Sequence, residues 1–290
     1  MDVLEAEALK VYIRRGAADI EALLERALDV SDEMTPEVLC AAQRYALIAP
    51  GKRLRGVTVL ACAEMLRGDR VKALPFAAAV ELVHTSSLIL DDLPSMDDAT
   101  LRRGKTTLHR VHGEANAILA AVSLLTKGFE HVRSSSRALA CLARAIGDDG
   151  LIGGQVADLE ADGSVLELDR LEYIHAHKTG ALFIASAELG ALAAGASERD
   201  LERVRIYAKN LGLAFQITDD VLDVVGDPAV TGKDAGTDRD RTTFVDVCGV
   251  EGSHRLVDEL IDAACGSIAT LGKRAATLRA LAEMVRRRDR

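Results

Sequence analysis

Residues 207–225 read YAKNLGLAFQITDDVLDVV, and their pattern predicts an amphipathic helix. Apolar or small side chains recur at three- and four-residue spacing and form one stripe: Leu211, Phe215, Thr218, Leu222 and Val225. Asp219 and Asp223 are four residues apart and share a neighbouring face, with Gln216 one turn earlier. The polar face of this helix is therefore acidic and continuous, as suits one wall of a metal site.

The same helical periodicity recurs along the whole chain of 290 residues. Ala and Leu are abundant, there are only five prolines, and no long alternating run predicts a multistranded sheet. Short breaks interrupt the pattern at 49–51, 68–69, 94, 104, 147–150, 161–163, 195–197, 226–228 and 251–253. The sequence thus predicts an all-α fold, a single domain over residues 1–290 with roughly ten helices and a site in the bundle interior.

Composition and charge argue against several classes of protein. A net charge of −9 disfavours a nucleic-acid surface. The five cysteines have neither a close pair nor the spacing of a metal site, which favours a reducing compartment. The start of the chain carries Asp2 and Glu5, unlike a secretory signal. The longest apolar stretch, Ala181 to Ala196, is short and contains Glu188. We therefore expect a cytoplasmic protein with no membrane span.

A first acidic cluster, Asp91 to Asp98, precedes the one at Asp219 to Asp223. A helix from about Phe76 to Asp92 is predicted to end before Pro94, so that Asp97 reaches the site from a turn. Carboxylates this close repel one another unless a hard cation such as Mg²⁺ binds their oxygens and leaves positions for phosphate. One such cluster could be a solvated helix end, whereas two in apolar surroundings predict two walls of one diphosphate site.

Basic residues alternate with the acidic clusters along the chain. Lys52 and Arg55 are three residues apart at the start of a predicted helix and can converge on one phosphate. Further basic residues occur at 102–103, 177–178 and 232–241, and arginine offers phosphate a forked pair of donors. Three other cations are interpreted as ordinary surface residues: Arg53, Lys105 and Arg239. The pattern predicts two phosphate sites, one bridged by metal and one bound directly by side chains.

Together these motifs resemble the head-to-tail isoprenyl diphosphate synthases, the farnesyl and geranylgeranyl diphosphate synthase family. The shared segments follow the family's order between about residues 45 and 245: 51–55, 84–97, 102–105, 153–159, 177–180, 215–223 and 232 onward. The resemblance, strongest to a bacterial geranylgeranyl diphosphate synthase, implies an all-α homodimer with a deep central cavity in each subunit. It also implies several Mg²⁺ ions per site and two substrates, isopentenyl diphosphate and an allylic diphosphate (dimethylallyl, geranyl or farnesyl).

The resemblance also implies roles for individual residues. Metal ligands are expected at Asp91, Asp92, Asp97 and Asp219, with Asp220 and Asp223 acting through water or indirectly. The isopentenyl diphosphate site is expected to contain Lys52, Arg55, His84 and Arg103. Contacts with the allylic diphosphate or the reacting carbons are expected from Arg102, Lys178, Thr179, Gln216 and Lys233. Arg241, where the family more often has lysine, is a further expected substrate contact. The expected catalytic set is Asp91, Asp92, Arg102, Lys178, Thr179, Gln216, Asp219 and Lys233.

Product length is predicted from two residues that precede Asp91. Ser87 lies one helical turn before Asp91 and Ser86 lies beside it. In the family, bulky aromatic residues at these two positions stop chain growth at fifteen carbons. Serines leave that volume open, so geranylgeranyl diphosphate is the expected product, with farnesyl or longer products as alternatives.

Two other classes of protein share parts of this pattern. A terpene cyclase or a squalene-type synthase has similar acidic motifs, but a cyclase lines its pocket with aromatic residues and lacks Lys52, Arg55 and His84. This chain has only four Tyr and five Phe. A non-catalytic partner subunit of a synthase would usually have lost its acidic motifs, whereas both are present here. The sequence therefore favours an enzyme, a prenyltransferase.

Overall fold

The computed structural model describes residues 3–29, 35–49, 51–161, 163–225 and 242–288. Within these ranges lie thirteen α-helices: α1 (Val3–Asp29), α2 (Glu37–Leu47), α3 (Leu54–Met65), α4 (Arg70–Asp91), α5 (Leu108–His112), α6 (Glu114–Val132), α7 (Ser136–Ile146), α8 (Leu151–Glu160), α9 (Leu168–His175), α10 (Ala181–Ala193), α11 (Glu198–Val225), α12 (Phe244–Ile268) and α13 (Ala276–Arg286). Two of them, α5 and α9, have fewer than ten residues. The predicted all-α fold is confirmed.

Three short elements complete this part of the chain. A π-helix, Ala176–Gly180, joins α9 to α10, and a 3₁₀-helix, Ala269–Ala275, joins α12 to α13. Strands β1 (Leu101–Arg102) and β2 (Lys105–Thr106) form a two-stranded antiparallel hairpin. The hairpin follows the first acidic cluster directly and carries two of the arginines that the sequence singled out.

Helices α4 and α10 lie at the centre of the bundle. Helix α10 packs against α3, α4, α7 and α11, and α4 also packs against α3 and α6. Both central helices are apolar around most of their circumference, as expected for helices surrounded by protein. The buried apolar side chains form a cluster that extends from Leu9 of α1 to Val285 of α13.

The ends of α4 set the position of the first acidic cluster. The Asp69 carboxylate accepts a hydrogen bond of 2.8 Å from the backbone N–H of Val71 and caps the start of the helix. The helix ends at Asp91, and Pro94 follows in the turn, where its missing N–H costs nothing. The sequence predicted this helix correctly, although it begins at Arg70 rather than near Phe76.

One predicted break is wrong. Residues 251–253 are helical and belong to α12. The interruption lies at Gly249 instead, with φ 70° and ψ 166°, a backbone conformation that glycine adopts without steric cost. The predicted break at 226–228 lies outside the described residues.

Helix α4 is the one described helix that is long and apolar enough to cross a membrane. Its most apolar window is 67% buried inside the structure. Such burial is expected of α4, because it is a central helix of the bundle.

Candidate functional site

A pocket of about 430 Å³ lies between the start of α3, the middle of α4, the hairpin, α11 and α13. We call it the arginine pocket. The structure brings together here the four residues expected to bind isopentenyl diphosphate: Lys52, Arg55, His84 and Arg103. Its other polar lining residues are Arg53, Glu81, Arg287 and Arg288. Five arginines and a lysine against a single carboxylate make the pocket strongly cationic, as a diphosphate site requires.

Arg55 and His84 form the inner wall of the arginine pocket. Arg55 Nη1 lies 3.1 Å from His84 Nε2, and the guanidinium carbon lies 4.7 Å from the centre of the Phe183 ring. Burial lowers the pKa of Arg55 to about 10, although the Glu81 carboxylate opposes this shift. Burial, assisted by Arg55 and Arg103, lowers the pKa of His84 well below its ordinary value. His84 is therefore neutral at pH 7, and its ring nitrogen can accept a hydrogen bond from Arg55.

Arg53 is not the surface cation that the sequence suggested. It is 4% exposed, and its guanidinium donates to the backbone carbonyls of Leu47 (2.6 Å) and Ala49 (3.2 Å). It also donates to Glu21 at 3.1 Å. Arg53 adopts a left-handed backbone conformation (φ 49°) immediately before α3. Its side chain therefore fixes the turn that carries Lys52 and Arg55, and a charge pattern alone could not reveal these two carbonyl partners or Glu21.

The first acidic cluster is bound by two cations and one amide from three other elements. Asp92 Oδ1 accepts hydrogen bonds from Arg102 Nε (2.8 Å) and Nη2 (2.5 Å). Asp91 Oδ1 lies 3.4 Å from Lys178 Nζ and accepts from Gln155 Nε2 at 2.8 Å. The cluster is thus connected to the hairpin, α8 and the π-helix.

Burial changes the pKa values of the ionisable groups in this cluster. Desolvation raises the pKa of Asp91 and of Asp92, although Lys178 and Arg102 oppose the shift. Burial also disfavours the charged form of Lys178, but Asp91 and Asp158 outweigh it and raise the lysine pKa. Burial therefore disfavours the ionised form of these carboxylates, and a bound cation would stabilise it.

Asp97 lies in the turn after α4, as predicted. Its backbone N–H donates to the carbonyl of Asp91 at 3.0 Å, which folds the turn back over the end of the helix. The next residue, Asp98, is directed toward Arg110 at 3.8 Å and is largely exposed.

The hairpin separates two neighbouring arginines. Arg102 binds Asp92, whereas Arg103 lines the arginine pocket. Arg103 has a φ of 54°, the turn conformation that directs it away from Arg102. One short element thus contributes a cation to each of the two expected phosphate sites.

The second acidic cluster lies at the end of α11, next to both sites. Asp219 Oδ1 lies 2.5 Å from Arg288 Nη1, and the Arg288 guanidinium carbon lies 4.9 Å from the centre of the Phe215 ring. Asp220 accepts hydrogen bonds from Gln216 Nε2 (3.1 Å) and from the backbone N–H of Phe244 (3.0 Å). Burial raises the pKa of Asp220 to about 6, despite these two donors. Asp223 is exposed at the end of the cluster.

Thr179 and Gln216 connect the π-helix to α11. Thr179 Oγ1 donates to Gln216 Oε1 at 2.9 Å. Both residues line a cavity of about 120 Å³ that also contains Asp158, His175, Lys178 and Asp220. Three of the residues expected at the allylic half of the site, Lys178, Thr179 and Gln216, therefore lie together.

The donor chemistry of the acidic clusters fits Mg²⁺, because every candidate ligand is a carboxylate oxygen. In the described ranges, no three His, Cys, Asp or Glu side chains are arranged as a metal site. Asp91, Asp92 and Asp219 are each directed toward a cation of the protein instead: Lys178, Arg102 and Arg288. Metal binding would accordingly exchange these ion pairs for metal–oxygen bonds.

The two serines expected to control chain length differ in their surroundings. Ser86 is 2% exposed, and its hydroxyl donates to the carbonyl of Ala121 in α6 at 2.8 Å. Ser87 is half-buried and donates to the carbonyl of His84 at 2.8 Å. Each hydroxyl donates to a backbone carbonyl. Both side chains at these positions are therefore small and already hydrogen-bonded.

Two expected site residues, Lys233 and Arg241, lie outside the described residues. Three further residues were missed as candidates although they contact expected ones: Gln155, Asp158 and Arg288. Asp158 accepts from Lys178 at 2.7 Å, and its spacing of three from Gln155 on α8 could have indicated a shared helix face.

Comparisons with known proteins concern the whole chain. Residues 36–262 match the model of the polyprenyl synthetase family. The chain is 41% identical over 293 residues to the chloroplastic geranylgeranyl pyrophosphate synthase of Capsicum annuum, covering 97% of this chain and 79% of that protein. It is 44% identical over 255 residues to the large subunit 1 of a heterodimeric geranylgeranyl pyrophosphate synthase from Arabidopsis thaliana, covering 82% and 69%. The crystal structure of an FPP/GFPP synthase from Zymomonas mobilis superposes with a TM-score of 0.86 at 34% identity, covering 97% and 99%.

Proposed function

Because the chain belongs to the polyprenyl synthetase family, we propose that it is a Mg²⁺-dependent prenyltransferase that condenses an allylic diphosphate with isopentenyl diphosphate, head to tail. Geranylgeranyl diphosphate is the proposed main product, and residues 1–290 act as one domain. The observation that carries the proposal is the presence of two adjacent anion sites of different chemistry. One is the arginine pocket, and the other is the pair of acidic clusters with Arg102 and Lys178.

The arginine pocket is the proposed site of isopentenyl diphosphate. Lys52, Arg55 and Arg103 can bind its diphosphate directly, without metal, because none of the three is hydrogen-bonded to a carboxylate among the residues that the structure describes. The buried Nε of Arg55 has no hydrogen-bond partner among the described residues. A hydrogen bond from this N–H to a phosphate oxygen would be especially favourable, because the N–H is already removed from water.

The acidic clusters are the proposed site of the allylic diphosphate. Asp91, Asp92, Asp97 and Asp219 would hold Mg²⁺, with Asp220 and Asp223 acting indirectly, and Lys233 and Arg241 belong to the same proposed half-site. When bound, Mg²⁺ would act as a Lewis acid on the leaving diphosphate. Arg102 and Lys178 lie beside Asp92 and Asp91 and can donate to the same oxygens as negative charge develops on them.

The remaining steps are bond formation between the two substrates and loss of a proton. The double bond of isopentenyl diphosphate attacks the allylic carbon as the C–O bond breaks, and one proton is then lost, which we assign to the departing diphosphate. Thr179 and Gln216 lie next to Lys178 and are held by their mutual hydrogen bond. The rings of Phe183 and Phe215, 5.4 Å apart, provide an apolar surface that keeps water from the cationic carbon.

The proposed twenty-carbon product is supported by two observations. The plant relatives described above are named geranylgeranyl pyrophosphate synthases. Ser86 and Ser87 also have small side chains at the positions one turn before the first acidic cluster. The solved relative from Zymomonas mobilis carries FPP and GFPP in its name, which makes farnesyl and longer products the second candidates.

A homodimer is part of the proposal. Helices α6 and α8 each expose a row of large apolar side chains at helical spacing: Ile118, Leu119 and Val122 on α6, and Ile152, Val156 and Leu159 on α8. Such faces are typical of contacts between subunits. Sedimentation equilibrium tests this directly, because Val122→Glu should shift a dimer toward monomer.

A cytoplasmic location is also proposed. All five cysteines are unpaired thiols, which fits a reducing compartment. The relatives from Capsicum annuum and Arabidopsis thaliana are chloroplastic. Fractionation of the source cells tests the location.

The proposed activity is tested with purified protein, labelled isopentenyl diphosphate, an allylic diphosphate and Mg²⁺. Turnover by the chain alone supports a catalytic subunit. Turnover only after a second, different subunit is added would support the alternative of a non-catalytic partner.

A further inference from the structure

The π-helix between α9 and α10 contributes two of the proposed site residues. Lys178 is directed toward Asp91 and Asp158, and Thr179 is directed toward Gln216 of α11. These two neighbours thus contact α4, α8 and α11 at once. π-Helical turns are rare and are found mostly at functional sites, because they redirect side chains at a cost in backbone geometry.

Helix α8 contacts the backbone of the π-helix through a glycine. A Cβ atom added at Gly154 would lie 2.1 Å from Lys178 N and 2.7 Å from Lys178 Cα. The neighbouring atoms belong to the backbone, so they cannot rotate away. Ordinary contact begins at 3.4 Å, so an alanine would separate α8 from the π-helix by roughly 1.3 Å.

On its other side, the π-helix contacts α11, again through a glycine. A Cβ at Gly212 would lie 3.2 Å from Gly180 Cα and 3.3 Å from Phe183 Cβ. This contact is tight, but small adjustments relieve it. The π-helix is therefore held between two helices at backbone distance, and the tighter contact is the one at Gly154.

Gly154 also lies within one turn of two α8 side chains that bind Asp91 or its partner Lys178. Gln155 donates to Asp91, and Asp158, one turn later on α8, accepts from Lys178. A displacement of α8 would therefore change the distances among Asp91, Lys178 and Asp158 together.

We propose that Gly154 is a positioning residue, which lets α8 touch the π-helix backbone and thereby holds Lys178 against Asp91 and Thr179 against Gln216. It does not contact substrate. That the allylic diphosphate is the affected substrate rests on the proposed function, which assigns Lys178 and Thr179 to the allylic half-site. The arginine pocket is formed by other elements and should be unaffected.

Gly154→Ala tests the proposal. A displacement of about 1 Å at a reacting centre can lower turnover by roughly 100-fold. We expect kcat to fall by about that factor and the KM of the allylic diphosphate to rise, while the KM of isopentenyl diphosphate changes less than about two-fold. The matched control is Gly266→Ala in α12, where an added Cβ meets no atom within 4 Å. Its kinetic constants should equal those of the wild type.

A second readout does not depend on turnover. Hydrogen exchange of the backbone amides in residues 174–182 should be faster in Gly154→Ala, while exchange in α3 stays unchanged. If the wild type does not condense prenyl diphosphates, the proposed function fails, yet this exchange difference still tests the role of Gly154. If Gly154→Ala does not fold, Gly212→Ala replaces it, with a smaller change of about three-fold in the same allylic constants. Unchanged kinetics and exchange, or equal increases in both KM values, would overturn the proposal.

Discussion

Lys178 Nζ lies 3.4 Å from Asp91 Oδ1, and this ion pair joins the π-helix to the end of α4. It connects segments that are 87 residues apart in sequence, and Asp158 extends it to α8 with a contact of 2.7 Å. The allylic half of the proposed site is therefore assembled from elements that only the tertiary fold brings together. Its carboxylates and its lysine already stabilise one another before any substrate binds.

The acidic clusters should be essential for turnover. Asp91→Ala or Asp219→Ala removes a proposed Mg²⁺ ligand, and we expect kcat to fall by about 10²- to 10³-fold or more while the circular dichroism spectrum stays helical. Steady-state assays with and without a chelator measure this effect. The control is Asp98→Ala, since Asp98 belongs to the same cluster but is exposed and directed toward Arg110. Near-normal turnover in either ligand variant, or full activity in excess chelator, would refute the assignment.

The arginine pocket should contribute to the binding of isopentenyl diphosphate and not to that of the allylic diphosphate. Lys52→Ala or Arg55→Ala removes a charged donor, so the KM of isopentenyl diphosphate should rise by roughly one order of magnitude and that of the allylic diphosphate much less. Separate titrations of the two substrates measure the split. Lys10→Ala is the control, because Lys10 is an exposed cation of α1 paired with Glu7. Equal weakening of both substrates would show that the division into two phosphate sites is wrong.

Product length should respond to bulk one turn before Asp91. Ser86→Phe places a large ring at the contact of α4 with α6, where Ser86 donates to the Ala121 carbonyl, and we expect the main product to shorten from twenty to fifteen carbons. Mass spectrometry of the products measures this change. Ser87→Ala is the control, since it removes only a hydroxyl and should leave the length unchanged. A variant that still makes twenty carbons would contradict a chain path along this face of α4.

Acid should destabilise the protein partly through His84. Its pKa is lower in the folded protein than the value of about 6.5 in an unfolded chain. The unfolded state therefore binds more protons below that pH, and the contribution of His84 to stability is lost as pH falls below about 6.5. His84→Asn should accordingly lose less free energy of unfolding between about pH 7.5 and 5 than the wild type. Urea titrations at the two pH values measure the difference. Equal losses would show that His84 does not contribute to the acid sensitivity.

The sequence predicted the helical fold because apolar periodicity alone determines it. Spacing alone predicted that Lys52 and Arg55 converge, whereas the resemblance to the family added His84 and Arg103, and the structure brings all four together in the arginine pocket. The family and the all-α fold are confirmed, whereas the roles of the individual site residues stay predictions.

What the sequence could not predict depends on contacts between distant segments. Arg53 is bound by Glu21 of α1, 32 residues away, as well as by the nearby carbonyls of Leu47 and Ala49. The ion pair between Arg288 and Asp219 depends on how α13 packs beside α11. The π-helix contacts α8 at Gly154 at backbone distance, and an apolar pattern cannot distinguish it from an ordinary helical turn.

The most direct test of the central claim is product analysis with the wild-type chain alone. Purified protein is incubated with labelled isopentenyl diphosphate, an allylic diphosphate and Mg²⁺, and the products are resolved by mass spectrometry. The account predicts a twenty-carbon diphosphate as the main product and no turnover in excess chelator. A product that stops at fifteen carbons, or no product until a second subunit is added, would contradict it.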